Sequence, residues 1–247
     1  MAKVTYHHDE NLHQMESPGA MVPVLIELFK PNSVVDFGCG IGTFLRAFKE
    51  QGVEDVLGLD GPWVSREKLK KNISETSFRE CDLGAPVDTN KKFDLAISFE
   101  VGEHIHPDFA ETFVKNIVQS SDTVIFGAAI PYQGGQNHLN EQWPSYWAEL
   151  FAKHGYKQYD LIRPAIWSDE RIQVWYRQNV FVYMRNAPAH VTDKSGKFAP
   201  NFEAIHPDMY SYKAARLDNI LSGKALLGDY IKWLGKKLLR SVGLLKS

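Results

Sequence analysis

The sequence predicts an α/β fold: one open, mostly parallel sheet of seven strands, covered by helices on both faces. Three observations predict it. Short runs rich in β-branched and aromatic residues alternate with amphipathic segments up to about residue 185. A glycine-rich turn, GCGIG, follows the first of those runs, where such sheets bring their backbone against a ligand. The last two runs, YKQYDLI and QVWYRQNVFVYMR, have no helical pattern between them. They read as a hairpin-like pair, which makes the last strand antiparallel at the sheet's end.

The elements follow in order. SPGAMVPVLIELFKP reads as an entering helix stopped at Pro31. Strands are expected at 33–37, 55–60, 77–81, 93–99, 123–129, 157–162 and 173–185, where Val, Ile, Phe and Tyr cluster between turn residues. Helices are expected at 42–51, 63–72, 108–120 and 144–154. After Arg185 the texture changes: NAPAHVTDKSGKFAPNF carries the Pro, Gly, Ser and charge of a linker. Two helical patterns follow it. The reading is therefore one domain over 1–186, with 1–30 as an N-terminal lid and helix. Residues 187–247 form a linker and a C-terminal helical appendage.

Bulk composition excludes several classes. The 247 residues, 44% hydrophobic and 23% charged, suit an ordinary globular chain. A net charge of −2 argues against a nucleic-acid partner. Cys39 and Cys81 are too few for a disulfide framework, which fits a reducing, cytoplasmic location. The polar start MAKVTYHHDENLHQ lacks the apolar core of a signal peptide, and no apolar run approaches membrane-span length.

The glycine turn discriminates between nucleotides. Gly38, Gly40 and Gly42 give G-x-G-x-G, with Thr43 where a dinucleotide fingerprint has its third glycine. Asp36 ends the strand before it. A carboxylate there repels a pyrophosphate and suits a ligand with a cationic end. S-adenosylmethionine carries an ammonium, a sulfonium and no phosphate, and the glycines, with Cys39 between them, allow close backbone approach. Asp60, followed by Gly61, ends the second strand, where a carboxylate accepts hydrogen bonds from both ribose hydroxyls. Asp82 and Leu83 follow the third, suited to an adenine amino group and ring nitrogen. Phe99 and Glu100 end the fourth, near the adenine and the methyl group. Local alternatives stay open: a cap or loop acid for Asp36, turns for Asp60 and Asp82, and plain packing for Cys39 and Cys81.

Together DFGCGIGTF, GLDG, CDL and FDLAISFEVGEHI, in that order, resemble the class I S-adenosylmethionine-dependent methyltransferases. The resemblance covers about residues 31–185. It implies a Rossmann-like seven-stranded sheet with an antiparallel last strand, S-adenosylmethionine as cofactor, and methyl transfer as the activity.

Three polar clusters are candidates for the acceptor side. EVGEHIHPD contains Glu100, Glu103, His104, His106 and Asp108. Its first part resembles the E-x-x-E-H found after the fourth strand in many small-molecule methyltransferases, whereas His106 before Pro reads as a helix entry. PYQGGQNHLNEQWPSYW, after the fifth strand, offers His138 flanked by Asn137 and Asn140. A hydroxyl acceptor needs a base, and His138 is the first candidate, with His104 and Glu103 behind it. The third, YHHDENLHQ, is a candidate lid. Glu103, His104 and Asp108 are hard-ligand types, but no spacing requires a metal, and none is assigned. Trp143, Tyr146 and Trp147 lie at helical spacing and read as core before sugar-stacking residues. Arg163, Arg171 and Arg177 are candidates for holding a phosphate or carboxylate on the acceptor.

The second cluster and NEQWPSYWAELFAKHGY also resemble bacterial methyltransferases of glycan and surface-polysaccharide pathways. The expected acceptor is therefore a small polar molecule such as a sugar or nucleotide-linked sugar. Amine, carboxylate and lipid-linked acceptors are the alternatives, as is a non-catalytic partner subunit that only binds the cofactor. Residues 222–247 carry a charge of +5, with leucines and Trp233 between the lysines. That pattern suits peripheral contact with the inner face of a membrane, or docking on protein.

Overall fold

The computed structural model describes residues 14–187 and 204–221, and residues 234, 235 and 237. The candidate lid YHHDENLHQ lies outside the described residues save for Gln14, as does most of the basic segment 222–247. The chain divides into two compact units, Met1–Ala204 and Ile205–Ser247. Among the described residues, no helix is long and apolar enough to cross a membrane.

The first unit is built on a seven-stranded sheet. Its strands are β1 (Ser33–Phe37), β2 (Asp55–Asp60), β3 (Phe78–Glu80), β4 (Leu95–Phe99), β5 (Thr123–Gly127), β6 (Lys157–Tyr159) and β7 (Phe181–Met184), in the order β3-β2-β1-β4-β5-β7-β6. The pairings from β3 through β5 are parallel, and β7 runs antiparallel to both β5 and β6. Chain order reverses between β1 and β4, where open α/β sheets bind ligands at the carboxyl ends of their strands.

Both faces are covered, so the strands are apolar on both. Alternate residues divide between two cores. Val34, Ile97, Ile125 and Val182 face one; Val35, Ala96, Val124, Phe126, Phe181 and Tyr183 face the other. The first core is filled by α1 (Glu16–Phe29), through Met21, Val22 and Leu25, and by α2 (Thr43–Glu50), through Leu45 and Phe48. The second takes α4 (Ala110–Ser120) and α5 (Pro144–Ala152). There Phe151 stacks on Tyr183 at 4.0 Å, and Trp147, only 2% exposed, lies 5.0 Å from Phe126. Trp147 is therefore a core residue.

Three expectations need correction. The helix expected at 63–72 is the shorter α3 (Arg66–Lys70), because a turn occupies the chain before it and Ser65 caps it by accepting from the Lys68 amide. The strand expected over 173–185 divides into α7 (Val174–Asn179) and β7, after a short α6 (Arg163–Ile166). Sheet depth explains this: β5 offers five residues, and β7 pairs along Thr123–Phe126. The upstream QVWYRQN has no ladder to join. It folds as a helical turn, with the Gln173 amide bonded to Ser17 Oγ and Arg177 bonded to the Trp167 carbonyl. Nor does the antiparallel strand lie at the sheet's edge; it sits between β5 and β6.

The second unit contains α8 (Pro207–Leu221). It opens on proline, and His206 Nδ1 accepts the Asp208 amide at 3.1 Å.

Candidate functional site

The carboxyl end of β1 sets the site. Gly38, at φ +89°, turns the chain away from the strand, and a Cβ there would collide with the side chain of Val101 just beyond β4. The turn leaving β1 thus packs directly against the chain leaving β4, where the chain order reverses. Gly40 and Gly42 complete the turn, and Gly42 opens α2. The Cys39 side chain turns inward and packs against Gly58 of β2, so any contribution of Cys39 to a ligand comes from its backbone.

Asp60 reaches from the tip of β2 into this turn. Its Oδ2 accepts the Gly40 amide at 2.7 Å and its Oδ1 the Gly61 amide at 2.6 Å. Burial raises its pKa to about 6, with the two amides and the Trp63 side chain offsetting part of the rise. Asp36 is buried beside it and is pushed well above the usual carboxylate range, first by burial and then by the Asp60 charge. Neither acid has a lysine or arginine partner among the described residues. Two buried carboxyls without a counter-ion, at the end of β1 and β2, suit a ligand that brings both hydroxyl donors and a cation.

The next strand tips complete the row. Asp82 is exposed, with Oδ1 accepting the Gly84 amide at 2.9 Å, so the expected turn is present. Leu83 is buried in the α4 core, its carbonyl bonded to Asn116. Phe99 packs between Phe44 and Tyr176, with ring centroids at 4.7 and 5.9 Å. Glu100 adopts φ +55°, a left-handed conformation that non-glycine residues seldom take. Its two oxygens accept from Asn179 at 2.8 Å and from Gln133 at 2.7 Å. Burial raises its pKa to about 7, which the two amides partly oppose.

On the acceptor side, the turn after β4 and the loop after β5 are tied together. The Glu103 carbonyl accepts the amides of both Leu139 and Asn140, at 2.8 and 2.9 Å. This brings Glu103, His104 and His138 into one cluster, with the two imidazole rings edge to face at 5.0 Å. Glu103 is 1% exposed and both its oxygens lack a hydrogen-bond partner. Burial drives its pKa well up, and the Glu100 charge adds to that; the amides of Glu103 and Ala129 oppose the rise without completing a hydrogen bond. Burial, and then His138, lowers His104 to about 4. His138 Nδ1 bonds Glu141 Oε1 at 2.8 Å, leaving Nε2 3.9 Å from Glu103 Oε1.

The structure thus gathers all three expected acceptor-side residues. Asp108 is not among them: it is exposed and lies by His106, whose Nδ1 accepts its amide. His106 is the helix entry its sequence suggested. The three candidate arginines each have a partner within the chain. Arg163 is buried, paired with both oxygens of Asp160 at 2.9 and 2.6 Å and lying 4.0 Å over the Phe181 ring. Arg177 is buried against a backbone carbonyl, and Arg171 pairs with Asp169.

Four residues of the site escaped the sequence reading. Trp63 lies over Gly61 and reaches Asp60; the signal was an aromatic three positions after a strand-tip acid. Asn179 and Gln133 hold Glu100, but Asn179 lay in the stretch read as strand. Glu141 accepts the Tyr132 and Gly134 amides and His138, folding its own loop. An acid three residues after the histidine was its signal.

Comparison with known proteins agrees with this geometry. Residues 12–145 match the family model described as a methyltransferase domain. Among curated proteins, none matches the chain by sequence. Solved structures similar in fold include the sugar N-methyltransferase KedS8 from Streptoalloteichus sp ATCC 53650, with 12% identity over 76% of this chain and 98% of that one, TM-score 0.56. Streptomyces venezuelae DesVI follows, with 14% identity over 73% and 100%, TM-score 0.53. The methyltransferase domain of bacterial CtHen1 has 18% identity over 70% and 100%, TM-score 0.52. At such identities the likeness is one of fold, and it is the family match, covering more than half the chain, that decides. With its glycine turn and strand-tip acids ordered as S-adenosylmethionine requires, the chain belongs to the class I S-adenosylmethionine-dependent methyltransferases.

Proposed function

We propose that this methyltransferase is O-directed and that its acceptor is a sugar, a nucleotide-linked sugar or a similar small polyol. The observation that carries the reading is the Glu103–His104–His138 cluster beside the β4 tip. Methyl transfer to an amine or thiolate needs little more than positioning, whereas a hydroxyl must also lose its proton. A cluster of one carboxyl and two imidazoles, tied together by backbone bonds, is chemistry that a hydroxyl acceptor uses. The loop around it, QGGQNHLNEQ, is rich in amides of the kind that bind adjacent hydroxyls. KedS8, similar in fold, is described as a sugar N-methyltransferase, so the architecture is compatible with a sugar acceptor, though the atom methylated there is nitrogen.

In the reaction, the acceptor oxygen attacks the sulfonium methyl in line. The new C–O bond forms as the C–S bond breaks, the hydroxyl proton is released, and S-adenosylhomocysteine leaves. The test is a panel of nucleotide sugars, phosphorylated sugars and free glycosides incubated with methyl-labelled S-adenosylmethionine. On the acceptor so found, His138→Ala is expected to lower turnover by about 10²–10⁴-fold while leaving S-adenosylhomocysteine affinity unchanged. Labelling of amines and of no hydroxyl compound would overturn the proposal.

A further inference from the structure

We propose that Glu103, His104 and His138 bind a divalent first-row transition-metal ion of the class that accepts imidazole, such as Mn²⁺, Co²⁺ or Zn²⁺. The inference rests on the O-methyltransferase reading and deepens it, by naming what activates the hydroxyl. One ligand atom from each of the three residues lies within 4.8 Å of the other two.

Four independent features point to the ion. First, Glu103 is buried with both oxygens unbonded, and Oε1 faces His138 Nε2 at 3.9 Å. A buried acceptor group left without donors is costly unless something enters between them. Second, each histidine has Nδ1 held by an oxygen acceptor. Nδ1 of His104 faces the Asn137 carbonyl at 3.4 Å, and that of His138 the Glu141 carboxylate at 2.8 Å. An oxygen acceptor at Nδ1 suits the tautomer with its lone pair on Nε2, and a carboxylate or carbonyl behind the histidine is the usual outer partner of a metal ligand. Third, Glu103 feels the charges of Glu100 and Glu141, and no lysine or arginine pairs with any of the three among the described residues. Fourth, the two segments that bear the ligands are tied by the Leu139 and Asn140 amides on the Glu103 carbonyl, so the site is held in shape.

The geometry allows an ion. Metal bonds near 2.1 Å put adjacent ligand atoms about 3–3.4 Å apart, so binding would draw Glu103 and His138 together by under about 1 Å. Two imidazoles and one carboxylate favour the transition ions over Mg²⁺ or Ca²⁺ and leave coordination positions for water or an acceptor oxygen. A hydroxyl bound there becomes acidic and gives its proton to water before attacking the methyl, with no change of oxidation state. In this arrangement His138 is a ligand and not the proton acceptor that its sequence position suggested.

The test is to dialyse the full chain against EDTA and titrate it with Mn²⁺, following the paramagnetic resonance of the free ion. Absorption bands of added Co²⁺ provide a second probe. One ion per chain is expected. Glu103→Gln and His138→Gln should each weaken it by about 100-fold or more, and Glu141→Gln by about 10–100-fold. S-adenosylhomocysteine is titrated in the same samples and should bind with or without the ion. Should Glu103→Gln fail to fold by circular dichroism, His138→Gln, on a surface loop, decides alone. A wild-type chain that binds S-adenosylhomocysteine but neither Mn²⁺ nor Co²⁺, or Mn²⁺ binding untouched in the variants, would overturn the proposal. Failure of S-adenosylhomocysteine to bind would be a separate result, striking the methyltransferase reading while the ion titration still judges the site.

Discussion

Replacing Asp60 by Asn separates the acid's burden on the fold from its use to the cofactor. A carboxyl whose ordinary value is 3.8 is held at about 6. Ionising it in the folded chain at pH 8 therefore costs about 3 kcal/mol relative to the open chain. Asn removes that cost. It also puts an NH₂ group against one of the two amides, Gly40 or Gly61, and losing that bond costs about 1.5–3 kcal/mol. The two effects nearly cancel, so Asp60→Asn should melt within a few degrees of wild type at pH 8. Cofactor binding should behave otherwise. A charged acceptor of two ribose hydroxyls is worth about 1.5–3 kcal/mol, so S-adenosylhomocysteine should bind about 10–150-fold more weakly. The pH dependence gives the sign. Because the folded value is raised, the free protein loses stability from this group as pH climbs from about 4 to about 6. Cofactor selects the ionised form, so wild-type affinity should rise with pH up to about 6–7 and then level off, and the variant should lose this share of the rise. Thermal unfolding and calorimetric titration at pH 5, 6, 7 and 8 measure both. Wild-type affinity in the variant would show that Asp60 does not hold the ribose, and the variant's collapse at pH 8 would show that the buried charge carries no cost.

Other consequences are simpler. Gly38→Ala forces a Cβ into Val101 at φ +89°. It should destabilise the chain by about 2–4 kcal/mol and reduce cofactor binding, with Val101→Ala restoring part of the stability in the double variant; melting curves of the three variants check it. Asp160→Ala leaves the buried Arg163 guanidinium without its bidentate partner and should cost about 3–5 kcal/mol in denaturant unfolding. Substitution of the exposed Asp108 should leave the methyl-transfer rate unchanged in the labelled-acceptor assay, because it stands apart from the cluster.

Much of this architecture was legible because local and global signals coincide. β1 and β2 begin and end where expected, since Pro31 and the glycine turn bound the first and Gly61 and Pro62 follow the second. The strand-tip acids were legible because chain order alone puts them at one edge of a parallel sheet. What was hidden depended on partners distant in sequence. QVWYRQN has strand composition, yet the depth of β5 leaves it no ladder, and it becomes the helix that brings Asn179 to Glu100. The arginines of the same stretch looked like anion ligands until Asp160 and a carbonyl claimed them. The meeting of Glu103 with His138 follows from two backbone bonds across 36 and 37 residues, which no local pattern records.

The direction in which the sulfur of a bound cofactor points is the most direct test of the site. A crystal structure of the complex with S-adenosylhomocysteine measures it. Ribose hydroxyls are expected on Asp60, the ammonium beside Asp36 along the glycine turn, and the sulfur turned toward Glu103, His104 and His138. A cofactor seated elsewhere, or seated there with its sulfur facing away from those three side chains, would contradict that placement.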